Sequence, residues 1–210
     1  MPSRENILNR LKQGRESRPA ATIEKPDFDA PIYHEPKGSL ADWFQENLEL
    51  VAGKVYRPKN LAEAVELIAS FNEEENWTNI FCADPLLQKA LAGNVDYQQN
   101  AEDFLNLQVG ITPCEFLIAH LGSVMISSGG ASGRRLHVFP ETHIVIAHQR
   151  QLVKFLDDAM EAIQAKYHGN IPSSITNITG PSRTADIEKT LVMGMHGPKK
   201  LIVLLCDEPF

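Results

Sequence analysis

The sequence has few of the features that mark a metal site, a disulfide framework or a membrane span. Its three cysteines, Cys82, Cys114 and Cys206, are widely spaced, and no C-x-x-C motif occurs. This argues against both a disulfide framework and a zinc or iron–sulfur site, so we expect reduced, mostly buried thiols. No run approaches the roughly 18 apolar residues of a spanning helix, and the N-terminus has no apolar signal-peptide region. We therefore expect a cytoplasmic protein with no membrane insertion.

Positive charge is also scarce, because 20 Lys and Arg residues face 27 Asp and Glu residues, for a formal net charge of -7. That charge repels phosphate backbones, so nucleic acid is not an expected partner. The sequence contains no P-loop, no G-x-G-x-x-G after a strand and no G-x-S-x-G. It therefore indicates no metal and no recognisable cofactor, and it leaves open whether the chain catalyses a reaction alone.

What the sequence does contain is the alternation typical of an α/β fold. With 210 residues, 43% of them hydrophobic, one large domain is expected. We predict a helix and a proline-containing arm over 1–38 and a single domain over 39–210. In that domain, β-type runs alternate with helical periodicity and predict a mostly parallel sheet, while FLIAH and SVMISS predict an antiparallel hairpin. The predicted strands lie at 55–57, 78–84, 143–147, 174–179 and 201–206; predicted helices begin at Ser39, near Leu61, at Pro85 and near Leu152, and one spans about 183–193.

The segment from Ile178 to Pro198 is the first candidate site, because a predicted strand passes into a predicted helix there. Gly180 permits a close approach of a ligand, and Arg183 offers a planar fork to a carboxylate or phosphate. The alternative is structural, since Ser182 and Thr184 can be simple helix caps and Arg183 can pair with Asp186. His196, which follows the predicted helix, is either a proton shuttle or a partner of the last carbonyls.

Three further features are candidate functional sites. The GGASGRR loop places Ser132, Arg134 and Arg135 where they could bind an anion, or the loop is simply solvated. Gly122 and Ser123 form the hairpin turn, and the Ser123 hydroxyl is either structural or faces a ligand. His143 begins a buried strand and is either a core residue or a functional one.

Several of these segments together resemble the signature of the lactate-utilisation protein C family, also called the LUD domain. They are GIT (110–112), the GSVMISS hairpin, Pro140 followed by HIVI, TGPSRTADIE (179–188) and LVMGMHGP (191–198). The resemblance implies a three-layer α/β fold similar to sugar-phosphate isomerases and CoA transferases, and a part in oxidising L-lactate to pyruvate beside an iron–sulfur partner. The family residues that carry over are Gly122, Ser123, His143, Thr179, Gly180, Ser182, Arg183, Thr184, Asp186, Glu188, His196 and Gly197.

Three functions follow as hypotheses. The first is a component of an L-lactate-oxidising complex with iron–sulfur subunits. The second is an enzyme acting alone on a small carboxylated or phosphorylated substrate, and the third is a sensor without turnover. If lactate is the substrate, its carboxylate would face Arg183, and His143 or His196 would take the hydroxyl proton. The proposed catalytic residues are His143, Arg183, Asp186 and His196; the proposed ligand-binding residues are Gly122, Ser123, Arg134, Arg135, Thr179, Gly180, Ser182, Arg183, Thr184 and Glu188.

Overall fold

The computed structural model describes residues 2–16, 27, 33, 38–98, 104–184 and 192–210. The chain divides into two units, Met1–Glu35 and Pro36–Phe210. In the first unit, helix α1 spans Pro2–Glu16 and leaves Ile7, Leu8 and Leu11 exposed. The N-terminal helix predicted from the sequence is therefore present, while most of the predicted arm lies outside the described residues.

The second unit is built on a five-stranded sheet in which every neighbouring pair of strands is parallel. Val, Ile and Leu dominate the two longest strands, which are buried almost throughout, as expected of strands covered on both faces. In spatial order the strands are β1 (Lys54–Tyr56), β11 (Lys200–Cys206), β6 (Thr142–His148), β3 (Val109–Pro113) and β2 (Ile80–Cys82).

One face of this sheet is covered by helices α3 (Leu61–Glu75) and α4 (Pro85–Leu91). Side-chain caps start both helices: Asn60 accepts a hydrogen bond from the Glu63 amide, and Asp84 accepts from the amides of Leu86 and Leu87. Apolar residues at helical spacing on α3, including Ala64, Val65 and Ile68, pack against the central strands.

The opposite face is covered by helix α2 (Leu40–Leu50) and a second sheet. This sheet has the order β7 (Leu152–Val153), β4 (Phe116–Ile118), β5 (Ser123–Ser127) and β8 (Ile175–Ile178). Strands β4 and β5 form the antiparallel hairpin predicted from the sequence, and β8 pairs antiparallel with β5. Helix α5 (Leu156–Lys166) covers the far side of this sheet through Ala159 and Ile163. The α/β fold with a mostly parallel sheet and an antiparallel hairpin is thereby confirmed.

Four local predictions need correction or addition. Helix α5 begins at Leu156, so Leu152 lies in β7 instead of in the helix. The 174–179 run forms β8 in the second sheet, so it does not extend the parallel sheet. The predicted helix at 183–193 is wrong at both ends, where β9 (Arg183–Thr184) pairs antiparallel with β10 (Val192–Met193). Strand β3 was not predicted, because a glycine and a proline interrupt its apolar pattern.

Candidate functional site

The carboxyl ends of parallel strands meet at one edge of a sheet, and this edge is where open α/β folds bind ligands. In this chain, the residues that follow β2 and β3 at that edge are Asp84, Cys114 and Glu115. Glu115 lies between β3 and β4, and its amide donates to the carbonyl of Met125 in the hairpin. The Glu115 carboxylate is therefore fixed between the two sheets.

Three side chains donate hydrogen bonds to this carboxylate. Lys166 Nζ lies 2.6 Å from Glu115 Oε2, Tyr167 Oη lies 2.7 Å from Oε1, and Ser127 Oγ lies 2.5 Å from Oε1. The Glu115 side chain is only 7% exposed. Ser127 ends β5, Lys166 ends α5 and Tyr167 directly follows it, so the packing of α5 on the second sheet brings the four residues together.

The charges of this cluster stabilise each other. Burial alone would raise the pKa of the Glu115 carboxyl, but the hydrogen bonds from Lys166, Ser127 and Tyr167 outweigh it and lower that pKa. Burial alone would lower the pKa of Lys166, but the hydrogen bond and charge of Glu115 raise it instead. Glu115 is therefore ionised and Lys166 protonated across the physiological pH range.

The cluster forms one wall of a cleft with a volume of about 400 Å³. The loop after β5 forms part of the rim with Gly129, Gly130 and Ser132, and Asp84 also lines the cleft. The Ser132 hydroxyl is buried and, among the described residues, has no hydrogen-bond partner. A buried hydroxyl is costly unless something pairs with it, so the Ser132 hydroxyl is available to a ligand in the cleft.

The three cysteines are all free and buried, as the sequence predicted. Cys114 lies beside the cleft, and burial raises the pKa of its thiol well above the ordinary value. Burial also raises the pKa of Cys82 to about 12 and that of Cys206 to about 11. Among the residues that the structure describes, no group of three or more His, Cys, Asp or Glu side chains could hold a metal ion.

His143 lies near the amino end of β6, and its side chain is fully buried. Its Nε2 lies 2.8 Å from the Thr112 hydroxyl, and the ring of His137 is 6.5 Å away. Burial, helped by His137, lowers the pKa of His143 to about 3. The imidazole is therefore neutral, and its surroundings are those of a core residue. Its catalytic role stays a prediction.

The hairpin turn is packed directly against helix α2. Gly122 has a φ of 59°, and a Cβ added there would collide with the backbone of Asn47 and Leu48. Ser123 is fully buried, and its hydroxyl lies 2.7 Å from that of Thr179. These contacts give both residues a structural role in the turn, and their part in ligand binding stays a prediction.

The segment from Thr179 to Thr184 folds into a turn held by residues 194–198. The Ser182 amide donates to the Pro198 carbonyl at 2.8 Å, and the Gly194 amide donates to the Ser182 carbonyl at 2.9 Å. The His196 amide lies 3.4 Å from Ser182 Oγ. Arg183 and the His196 side chain are exposed, and Thr184 lies in β9. Two other predicted site residues, Asp186 and Glu188, lie outside the described residues.

Gly180 and the two predicted loop arginines have mainly structural neighbours. Gly180 has a φ of 79° and lies against Val51 after α2. Arg134 donates to Ser173 Oγ at 2.5 Å, and the Arg135 guanidinium lies 4.3 Å from the centre of the Phe104 ring. Neither arginine lines the cleft beside Glu115.

The cluster around Glu115 was missed by sequence reasoning. The carboxyl end of a buried strand is a common site for functional residues, but Gly110 and Pro113 hid the strand that ends before Glu115. Lys166 and Tyr167 gave no signal either, because a polar pair at a helix end is an ordinary feature.

The comparisons with known proteins agree with this fold. The LUD domain matches residues 86–206, which is more than half of the chain. The chain belongs to the LUD domain family. Among solved structures, a DUF162 family protein from Deinococcus radiodurans has a similar fold, with a TM-score of 0.59, 18% identity, and coverage of 80% of this chain and 96% of that one.

Several relatives of this LUD domain protein carry the name Lactate utilization protein C. Lactate utilization protein C 1 from Bacillus mycoides (strain KBAB4) is 28% identical over 166 residues, which cover 78% of this chain and 71% of that protein. The proteins from Geobacillus sp. (strain WCH70) and Bacillus subtilis (strain 168) are 38% and 34% identical, over 55% and 53% of this chain. The chain spans about half of those two relatives, 46% and 47% of their lengths.

Within the described ranges of this LUD domain protein, no helix combines the length and the apolar character that crossing a bilayer requires.

Proposed function

We propose that this chain is a component of a cytoplasmic L-lactate utilisation system, in which it acts with iron–sulfur partner proteins during the oxidation of L-lactate to pyruvate. The observation that carries this proposal is the similarity to several proteins named Lactate utilization protein C, including the 38% identity to the Geobacillus protein. The LUD domain match over residues 86–206 supports it.

The chemistry of the cysteines supports the need for partners. Oxidising lactate releases two electrons, which need an acceptor. Iron–sulfur clusters are usually held by four cysteine thiolates, and this chain has three cysteines, each buried as a thiol with a raised pKa. An electron-carrying cluster would therefore belong to another protein.

Exposed side chains of the TGPSR and MGMHGP segments form a surface on which such a partner could dock. We define the motif face as Arg183, Met193, Met195 and His196, all of which are exposed. Methionine and arginine are enriched at protein interfaces. These four residues of the family motifs therefore lie where a partner could contact them.

Capture of the tagged chain from its native cell tests this proposal. Cells are grown on L-lactate, and the proteins that come with the chain are identified by mass spectrometry. We expect an iron–sulfur protein in the wild-type capture and less of it when Arg183→Ala is combined with Met195→Asp. Arg150→Ala is the matched control, because Arg150 is exposed outside the motif face. Recovery of the chain alone would contradict the proposal.

A second candidate function is a stand-alone enzyme or sensor for a small carboxylated or phosphorylated metabolite. The cleft at the carboxyl edge favours it, because Glu115, Lys166 and Tyr167 meet there without a partner chain. Incubation of the purified chain with metabolites distinguishes an enzyme from a sensor. Product formation would indicate an enzyme, and binding without product would indicate a sensor.

A further inference from the structure

The cleft beside Glu115 has hydrogen-bonding capacity that its own side chains do not use. A lysine ammonium has three N–H donors, and Glu115 accepts one of them. An ionised carboxylate has about four acceptor positions, and Glu115 receives three hydrogen bonds from Lys166, Tyr167 and Ser127. Lys166 therefore keeps two donors and Glu115 one acceptor that these hydrogen bonds do not use, and both residues line the same cleft as the Ser132 hydroxyl.

We propose that this cleft binds a small carboxylate that carries a hydroxyl group on the neighbouring carbon. Lys166 and Ser132 hold the ligand carboxylate, and Glu115 accepts a hydrogen bond from the ligand hydroxyl. This inference rests on the proposed function, because it assigns the ligand of that function to one site. It places that ligand at the carboxyl edge of the central sheet, away from the turn that contains Arg183.

The size of the cleft agrees with a small ligand. Its volume of about 400 Å³ is near the lower end of the roughly 300–1,000 Å³ typical of ligand sites. The Lys166 side chain is 55% exposed, so the ammonium can turn toward a ligand without leaving a buried position. Glu115, at 7% exposure, stays in place and sets the position of the hydroxyl.

The charges that face the cleft allow an anion to bind. Lys166 and Glu115 together are neutral, so a carboxylate binds through direct hydrogen bonds from the ammonium and not through a net positive charge. Asp84 is a second acidic residue on the lining. Its Oδ1 accepts from the amides of Leu86 and Leu87, both at 3.0 Å, which offsets part of its charge.

The acceptor on Glu115 gives the site its specificity. A carboxylate that lacks the hydroxyl brings a methylene hydrogen against a charged, buried oxygen and gains no hydrogen bond there. Sites that pair a ligand hydroxyl discriminate strongly against analogues without it. L-lactate should therefore bind at least about ten-fold more tightly than propionate, which has the same carbon skeleton.

Isothermal titration calorimetry of the full chain with L-lactate and with propionate tests the inference. We expect L-lactate binding to one site, weakened at least about ten-fold by Lys166→Met because the ammonium is lost. Lys199→Met is the matched control and should leave binding unchanged, since Lys199 is similarly exposed at 53% and pairs with Glu141.

A second variant keeps the test decisive if Lys166→Met fails to fold. A Cβ at Gly130 meets no heavy atom within 4 Å, so Gly130→Leu should fold and occupy the rim of the cleft. We expect it to weaken L-lactate binding as well. Equal binding of L-lactate and propionate, no L-lactate binding, or binding unchanged by both cleft variants would overturn the inference.

Failure of the cleft assignment can be distinguished from failure of the proposed function. Partner capture depends on the motif face, and calorimetry depends on the cleft. Capture of an iron–sulfur protein without L-lactate binding would overturn the cleft assignment alone. L-lactate binding without a captured partner would overturn the complex and leave the cleft assignment standing.

Discussion

The Lys166 ammonium lies 2.6 Å from the Glu115 carboxylate although the two residues are 51 positions apart in the chain. The pair is asymmetric, because the lysine side chain is 55% exposed and the glutamate side chain is 7% exposed. Solvent therefore screens one end of the pair and is excluded from the other. Removing the lysine charge would leave the Glu115 carboxylate without its ion-pair partner, at a position where water can take the place of the ammonium only in part.

We predict that Glu115→Gln lowers the free energy of unfolding by about 2 kcal/mol. The substitution removes the charge of a buried carboxylate that accepts three hydrogen bonds, one of them from the Lys166 ammonium. The expected loss is below the roughly 3–5 kcal/mol of a fully buried pair, because solvent screens Lys166. Urea unfolding at pH 7 measures the change. Glu141→Gln is the matched control, with an expected loss below about 1 kcal/mol because Glu141 and Lys199 form an exposed pair. Similar losses in both variants would contradict this prediction.

We predict that Gly122→Ala lowers the free energy of unfolding by more than about 2 kcal/mol, because it adds strain at a positive φ and a collision with the backbone of α2. Gly130→Ala should change it by less than about 0.5 kcal/mol, since nothing lies within 4 Å of the added Cβ. Denaturant unfolding of both variants measures the difference. A stable Gly122→Ala protein that has lost only ligand binding would instead support the binding role predicted from the sequence.

The pKa of His143 predicts a loss of stability in mild acid. The pKa falls from an ordinary value of 6.5 to about 3 in the folded protein, so the unfolded chain takes up a proton first as the pH drops. Lowering the pH from 7 to 5 should therefore lower the free energy of unfolding by about 2 kcal/mol through this histidine. Unfolding curves at both pH values measure this change.

The control for this prediction is His143→Gln, which keeps a polar group near Thr112 but does not titrate. Burial also lowers the pKa of His137 and His148, so some acid sensitivity remains in the variant. The wild type should lose about 2 kcal/mol more than the variant between the two pH values. An equal loss in both proteins would show that His143 is not the source.

The three thiols should react with a thiol reagent only when the protein unfolds, because all are buried and their pKa values are raised. Labelling with dithionitrobenzoate at pH 8 checks this. We expect almost no reaction in the native protein and three equivalents in guanidinium chloride. Rapid reaction of one thiol in the native protein would contradict the burial of that residue.

Much of the fold could be predicted from local patterns. The predicted helix starts at Ser39, near Leu61 and at Pro85 agree with α2, α3 and α4, and HIVIA and LIVLLC form the longest parallel strands. These predictions worked because a cap and an apolar period act within a few residues of chain. The hairpin was also predictable, since Gly122 lies between two β-type runs.

The second sheet and the site depended on pairings that local patterns do not carry. The 174–179 run indicates a strand but not the sheet to which it belongs, and only its pairing with β5 places it in the second one. The TGPSRTADIE letters favour a helix start, but the hydrogen bonds of Ser182 to Pro198 and Gly194 hold residues 179–184 in a turn. Glu115 and Lys166 meet only through tertiary packing, so no spacing in the sequence could have joined them.

L-lactate consumption by the native cell is the most direct test of the central claim that this chain takes part in lactate utilisation. The measurement follows L-lactate in the medium of cells that lack the chain, with and without the wild-type chain supplied back. We predict that consumption stops without the chain and returns when the chain is supplied. Unchanged consumption in cells that lack the chain would contradict the proposed function.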